Sequence, residues 1–341
     1  MNARHLPVGI AIGLLLASVL LPRTTPFAAS ASPTGREPTA TLLVEGLKGG
    51  SGSTIGPDGA LYVTEGVAGR VSRVDPQTGE RTTFARGLPK RVDLTYPFGG
   101  AVDVAFIGET AYVLVTFVDS FVGGSDIDGI YRVDGPDSFT IIADIGEFSS
   151  NNPPQTSFNL PTGVQYALQT YHGGFLVTDG HHNRVLRVTL DGEITVAMAF
   201  DNIVPTGLAV DDYLVYMAEA GPVPHLPEAG KVVAFGPQAS TATEVASGAP
   251  LLVDVEFGPR RRLYALSQGD FSGDPEGSPA RPNTGALVEV NGDGTFTIIT
   301  DGLDRPTSLE FIGNTAYVVT FSGEIWQIQG VLRSPHDSRD R

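Results

Sequence analysis

Three features of the chain predict an all-β fold, a six-bladed propeller of four-stranded antiparallel blades. The first is the segment 174–192. It alternates with period two and sets polar turn residues, Asp179 to Asn183 and then Asp191-Gly192, around short β-prone runs. The second is a recurring aromatic or apolar triplet that follows a turn: Leu61-Tyr62-Val63, Ala111-Tyr112-Val113, Phe175-Leu176-Val177, Leu214-Val215-Tyr216, Leu263-Tyr264-Ala265 and Ala316-Tyr317-Val318. The spacing of roughly 40 to 60 residues is that of propeller blades. The third is composition: 42 Gly and 25 Pro in 341 residues supply many turns, and only 18 % of residues are charged, which argues against disorder and helical bundles.

Each triplet is preceded by a short strand and a turn, then followed by a third and usually a fourth β-prone run. The sixth unit stops near Val331 without its fourth strand, while residues 41–44 form an unassigned β-prone run at the other end. The N-terminal strand is therefore expected to complete the last blade and close the ring, removing an exposed sheet edge. The propeller should span residues 41–331, after a Pro/Ser/Thr-rich linker at 32–40 and before a charged tail at 332–341.

The first 31 residues read as a signal peptide. Arg4 and His5 precede an apolar run at 8–21, Pro22 ends it, and Ala29-Ser30-Ala31 offers small residues for cleavage. The run is short for a membrane span, and an uncleaved anchor is the alternative. A secreted or periplasmic monomer with no membrane span after cleavage is expected. Removing residues 1–31 takes away Arg4 and Arg23 and no acid, so the formal charge of −16 becomes −18. Such acidity disfavours nucleic acid as a partner. The absence of cysteine excludes disulfides and thiol chemistry.

Long insertions at 118–128, 220–229, 269–284 and 147–160 should emerge on one face and build a mouth over the axis. A small molecule, peptide or glycan is the expected partner there. Aligning the units gives two columns. The first follows the second strand: Glu65, Phe117, Asp179, Glu219, Gln268 and Phe321. The second lies in the innermost strand: Gly52, Asp103, Gly163, Gly207, Asp254 and Ser308. Glu65, Asp103, Asp179, Glu219 and Asp254 would then surround the axis as oxygen ligands suited to Ca²⁺ or Mg²⁺. A water-filled acidic funnel without a fixed ion is the alternative.

His181 and His182, beside Asp179 in the shortest mouth loop, are the candidate proton-transfer residues; an exposed turn pair is the alternative. His225 reads as a surface residue of a Pro-rich insertion. No Gly-x-Ser-x-Gly, P-loop, dinucleotide fingerprint or His-Glu-x-x-His occurs. No nucleotide, haem or flavin is expected.

The segment from Val177 to Leu186, with Asp179-Gly180-His181-His182-Asn183-Arg184 at its centre, resembles an NHL-type blade motif. The segment from Val63 to Val74 is similar to a blade of streptogramin lyase. The opening Leu43-Val44-Glu45-Gly46-Leu47, the run from Gly56 to Val63, and Asn159-Leu160-Pro161-Thr162-Gly163-Val164 together resemble the ScyD/ScyE family of exported bacterial propellers. That resemblance implies the propeller fold and export, with no fixed catalytic residues. The streptogramin lyase likeness implies a Mg²⁺-assisted elimination with a His base, and a likeness to gluconolactonase-type propellers implies an axial divalent cation. Two functions stand as expectations. One is a ligand- or protein-binding scaffold with an acidic, cation-competent mouth. The other is a metal-assisted lyase or hydrolase acting on a lactone- or ester-class small molecule.

Overall fold

The computed structural model describes residues 37–92, 98–157, 160–273 and 278–332. The expected signal peptide and the tail from residue 333 lie outside the described residues. Six four-stranded sheets are present, all with antiparallel neighbours. Five are continuous in sequence; in the sixth, Thr39–Val44 pairs with Ile325–Gln329 and joins the three C-terminal strands.

The innermost strands of blades 1 to 6 are Gly50–Ile55, Gly100–Ile107, Gln165–Tyr171, Pro205–Asp211, Leu252–Phe257 and Pro306–Ile312. Each packs against the innermost strands of two neighbours, the sixth against the first. Exposure rises outward. The first blade's inner strand is mostly buried, whereas its outer strand Arg81–Arg86 is mostly exposed.

The six triplets all fall in second strands, and the packing explains why they do not alternate. A second strand has a neighbouring blade on both faces, so both sets of side chains are buried, giving a continuous apolar run. In blade 1, Leu61 and Val63 pack with Tyr317 and Val319 of blade 6. Tyr62 points the other way and meets Phe84 and Phe106 edge-on, at centroid distances of 4.9 and 4.7 Å.

One irregularity recurs in every blade. The pairing of first with second strand shifts register at Gly50/Ser53, Ala101/Asp103, Gln165/Leu168, Pro205/Leu208, Leu252/Asp254 and Pro306/Ser308. A bulge inserts an unpaired residue and re-aims its neighbours. Six bulges at one level therefore give the innermost ring a common level at which side chains can turn towards the axis.

A short helix, Ile145–Asn151, lies between blades 2 and 3 where the sequence suggested only an insertion. Asp144 caps it by accepting from the Glu147 N–H at 2.7 Å. The Asp-x-x-Glu spacing is the signal that could have announced it.

The outer strand Thr39–Val44 is mostly exposed, so its removal should cost little buried apolar surface but uncover the edge of Ile325–Gln329. Deleting residues 37–43 is expected to lower stability by only about 1–2 kcal/mol while producing concentration-dependent association. Denaturant titration and light scattering over a range of protein concentrations check the two effects separately.

Candidate functional site

Blade register corrects the alignment made from sequence. Asp103 precedes Val104, which pairs with Val113; in blade 3 the corresponding pair is Leu168 with Val177. The second column is therefore Gly52, Asp103, Ala167, Gly207, Asp254 and Ser308, with Ala167 in place of Gly163. In the first column Val115, Ser267 and Thr320 replace Phe117, Gln268 and Phe321.

The corrected second column forms a waist on the axis. All six residues line a funnel of about 360 Å³ on the insertion-bearing face. Asp103, Ala167, Asp254 and Ser308 also line a second chamber of about 250 Å³, built from the later parts of the innermost strands. Asp103 Oδ2 accepts from Leu168 N of blade 3 at 2.7 Å, and Oδ1 from Val104 N at 2.8 Å. Asp254 repeats this with Leu309 N of blade 6 at 2.8 Å and Val255 N at 2.9 Å. Ser308 Oγ accepts from Ser53 N of blade 1 at 3.0 Å. The preceding blade supplies a glycine in both aspartate cases: a Cβ on Gly52 would overlap Asp103 Oδ1, and one on Gly207 would overlap Asp254 Oδ1.

Below the waist, Glu256 and Glu310 join the two aspartates. Strand period two places them two residues beyond Asp254 and Ser308, a signal legible in the sequence but not used there. Burial pushes Asp254 up to about 7 and Glu256 up to about 8. Burial also holds Asp103 well above the usual carboxylate range, with the Asp254 charge adding to it. Glu310 is held well above that range too, by burial first and then by the charges of Glu256, Asp254 and Asp103.

The remaining predicted ion ligands stand elsewhere. Glu65, Asp179 and Glu219 end second strands, directly across the hairpin from Arg70, Arg184 and Lys231. Glu65 receives Arg70 Nε and Nη2, both at 2.8 Å, together with Ser72 Oγ at 2.5 Å and Lys48 N at 2.6 Å. Burial would raise its pKa, but these donors outweigh burial and lower it. Asp179 receives Arg184 Nε at 3.0 Å and Ser149 Oγ at 3.2 Å. Burial pushes Glu219 up to about 7, against the pull of Lys231, whose Nζ donates to Glu244 at 2.6 Å. None of the three lines the funnel or the chamber. Among the described residues no group of three or more His, Asp or Glu side chains has the spacing to hold a metal ion. The five carboxylates do not make one ligand set. Glu65 and Asp179 serve hairpins, Glu219 lines neither cavity, and the waist pair already spends oxygens on backbone N–H groups, so these five residues do not fit one resident Ca²⁺ or Mg²⁺.

The two adjacent histidines part company. His182 is buried, with Nε2 2.8 Å from Leu160 O and Nδ1 3.0 Å from Arg184 Nη2. Arg184 also donates to Ser149 Oγ at 2.9 Å and Asn152 O at 2.7 Å, tying the short helix to the blade 3 hairpin. His182 is thus a structural residue. His181 lines the funnel, where burial lowers its pKa against the pull of Asp179. His225 lines it too, which overturns its reading as a surface residue. Its ring packs edge-on to Phe271 at 5.2 Å, and burial followed by His181 lowers its pKa. Both imidazoles are therefore neutral at pH 7. Much of the remaining wall is apolar, including Phe98, Phe117, Tyr166, Val204, Leu251 and Phe321.

A six-bladed β-propeller with an axial funnel is the class this architecture defines. No family model matches the sequence, and no curated protein does. Solved structures do match the fold. A putative oxidoreductase (glucose dehydrogenase) from Thermus thermophilus aligns at TM-score 0.58 and 16 % identity, over 85 % of this chain and 99 % of that one. A gluconolactonase from Xanthomonas campestris aligns at 0.57 and 13 %, over 86 % and 89 %. Virginiamycin B lyase from Staphylococcus aureus aligns at 0.51 and 13 %, over 86 % and 99 %. At such identities the shared property is the propeller scaffold.

The waist and chamber carboxyls bind protons more tightly folded than at their ordinary values of 3.8 for Asp and 4.5 for Glu. Their contribution to stability is full below those values and is lost as pH rises through about 7 to 8. Thermal denaturation from pH 5 to 9 should show a falling melting temperature. Glu310→Gln should flatten that fall at the alkaline end; an unchanged slope would refute the assignment.

Proposed function

We propose that this protein is an exported propeller, akin to the ScyD/ScyE-like propellers, that binds a small organic molecule in its axial funnel. The carrying observation is the funnel itself: about 360 Å³, with apolar walls and His181, His225 and the waist aspartates converging on it. The funnel is enclosed enough to remove a guest from water, and its few polar groups are placed to orient one. Export rests on the N-terminal segment, and no described helix is long and apolar enough to cross a membrane. The insertions bearing Leu160, His225 and Pro279 supply part of the funnel wall, so selectivity resides largely in them.

A second reading, a lyase or hydrolase acting on a lactone- or ester-class molecule, is favoured by His181. Its neutral imidazole faces the funnel, as a general base must. The neighbours include proteins titled as a lyase and a gluconolactonase. In this reading His181 would take the proton, the funnel would orient the substrate, and no step passes through the five carboxylates as ion ligands.

Ala220 lines the funnel and is 6 % exposed. Ala220→Trp should plug it. The polarity-sensitive fluorophore prodan is expected to bind saturably, one to one, to the unaltered protein and at least about tenfold more weakly to the plugged variant. Equal binding by both proteins, each with a cooperative melting transition, sinks the reading. Turnover of a lactone or ester that His181→Ala abolishes without loss of prodan binding would select the second reading over the first.

A further inference from the structure

We propose that the guest of this axial cavity is an amphiphilic organic cation. Its apolar body fills the funnel, and its ammonium group reaches the waist and chamber carboxyls. The inference rests on the funnel being the ligand site and names the class of molecule that site selects.

The argument begins with the distribution of charge. Among the described residues lining the funnel and the chamber there is no Lys or Arg. The titratable side chains are Asp103 and Asp254 at the waist, Glu256 and Glu310 below it, and His181 and His225 above. The imidazoles are neutral at pH 7, so nothing basic offsets the acids. Blades 1, 3 and 4 add only uncharged groups to the chamber, namely Ser53, Thr54, Gln169, Thr170, Ala167 and Leu208.

Continuity is the second element. Asp103 and Asp254 line both cavities, so a molecule entering from the insertion-bearing face meets them at the bottom of the apolar funnel. They come from blades 2 and 5, across the axis from each other. Gly52, Ala167 and Gly207 between them contribute little bulk. An ammonium group is small enough to engage such a constriction.

Glu310 supplies an independent pointer. Its side chain borders the chamber and is half-buried. Unlike the other three acids, it accepts no hydrogen bond from a backbone N–H of the described residues: Asp103 and Asp254 each hold two, and Glu256 holds Phe257 N at 2.6 Å. A carboxyl that faces the chamber without such a donor, beside three others, keeps its acceptor capacity for a donor that enters the cavity. An ammonium donor is the complementary group. A divalent ion is the poorer match, because it demands several free oxygens in a fixed shell and the waist oxygens are already engaged.

Protons must balance. In the empty cavity the carboxyls keep protons that a cation replaces, so binding releases protons to solvent and strengthens from pH 6 to pH 8, while an alkylamine itself stays charged.

The test is calorimetric titration of the purified protein at pH 8 with naphthylethylamine, naphthylethanol and naphthylacetate, which share an apolar body and differ in charge. The amine should bind at least about tenfold more tightly than the alcohol, and the acetate most weakly. Repeating the amine titration in buffers of different ionisation enthalpy should reveal proton release. Glu310→Gln, which removes no backbone hydrogen bond, should cut the amine's advantage over the alcohol about fivefold. If amine and alcohol bind alike, or the variant leaves their ratio unchanged, the cation preference is overturned and the funnel reading stands. If none of the three binds the folded protein, both fall.

Discussion

Two carboxyl groups, each shared between the N–H groups of two blades, are the contacts on which the centre of this molecule depends. Innermost strands of a propeller are not hydrogen-bonded to one another as strands of a sheet are, so something else must set their spacing. Asp103 and Asp254 do this from opposite sides by bridging blade 2 to blade 3 and blade 5 to blade 6. Ser308 bridges blade 6 to blade 1. Threonines extend the pattern to two more junctions, with Thr178 donating to Thr206 O at 2.6 Å and Thr206 to Leu252 O at 2.9 Å. The bulges that free these side chains from their own sheets also fix the level of the waist and divide the axis into two compartments.

The fold was readable because propeller blades repeat. Marks such as Ala111-Tyr112-Val113 are dictated by burial on both faces; five of the six marks meet that demand, while the blade 4 mark starts one residue early on the exposed Leu214, and the copies reinforce one another. The leftover strand Thr39–Val44 was likewise legible, since a three-stranded last unit and an unassigned first strand are complementary observations. The site was less legible. Side-chain direction depends on a bulge, and a bulge leaves no composition of its own. Counting from the apolar end of the innermost strand therefore found five of six waist positions and took Gly163 for Ala167, although Ala167 stands as far before Val177 as Asp103 does before Val113.

The errors among the candidate residues share one cause. Acidic residues at the ends of second strands look like a ring when projected down the axis. In three dimensions each faces a basic residue of the third strand, away from the channel, as Glu65 faces Arg70 and Asp179 faces Arg184. A charged partner across a hairpin is a local contact, visible in the sequence as an acid and a base flanking a short turn. His181 and His182 could not be told apart from sequence, because the direction of a turn residue is set by what packs beneath it. Here that is Arg184 and the unforeseen helix Ile145–Asn151.

The waist also has a near symmetry. Reading round the ring gives Gly52, Asp103, Ala167 and then Gly207, Asp254, Ser308, so half a turn about the axis nearly superposes it on itself. A guest held by the waist alone would have two equivalent poses. The walls above break the tie, because His181 and His225 both stand on the side of blades 3 and 4. Under the proposed binding role, orientation and retention would be set by different parts of the chain, and changes in the insertions would re-aim a guest without altering the ring.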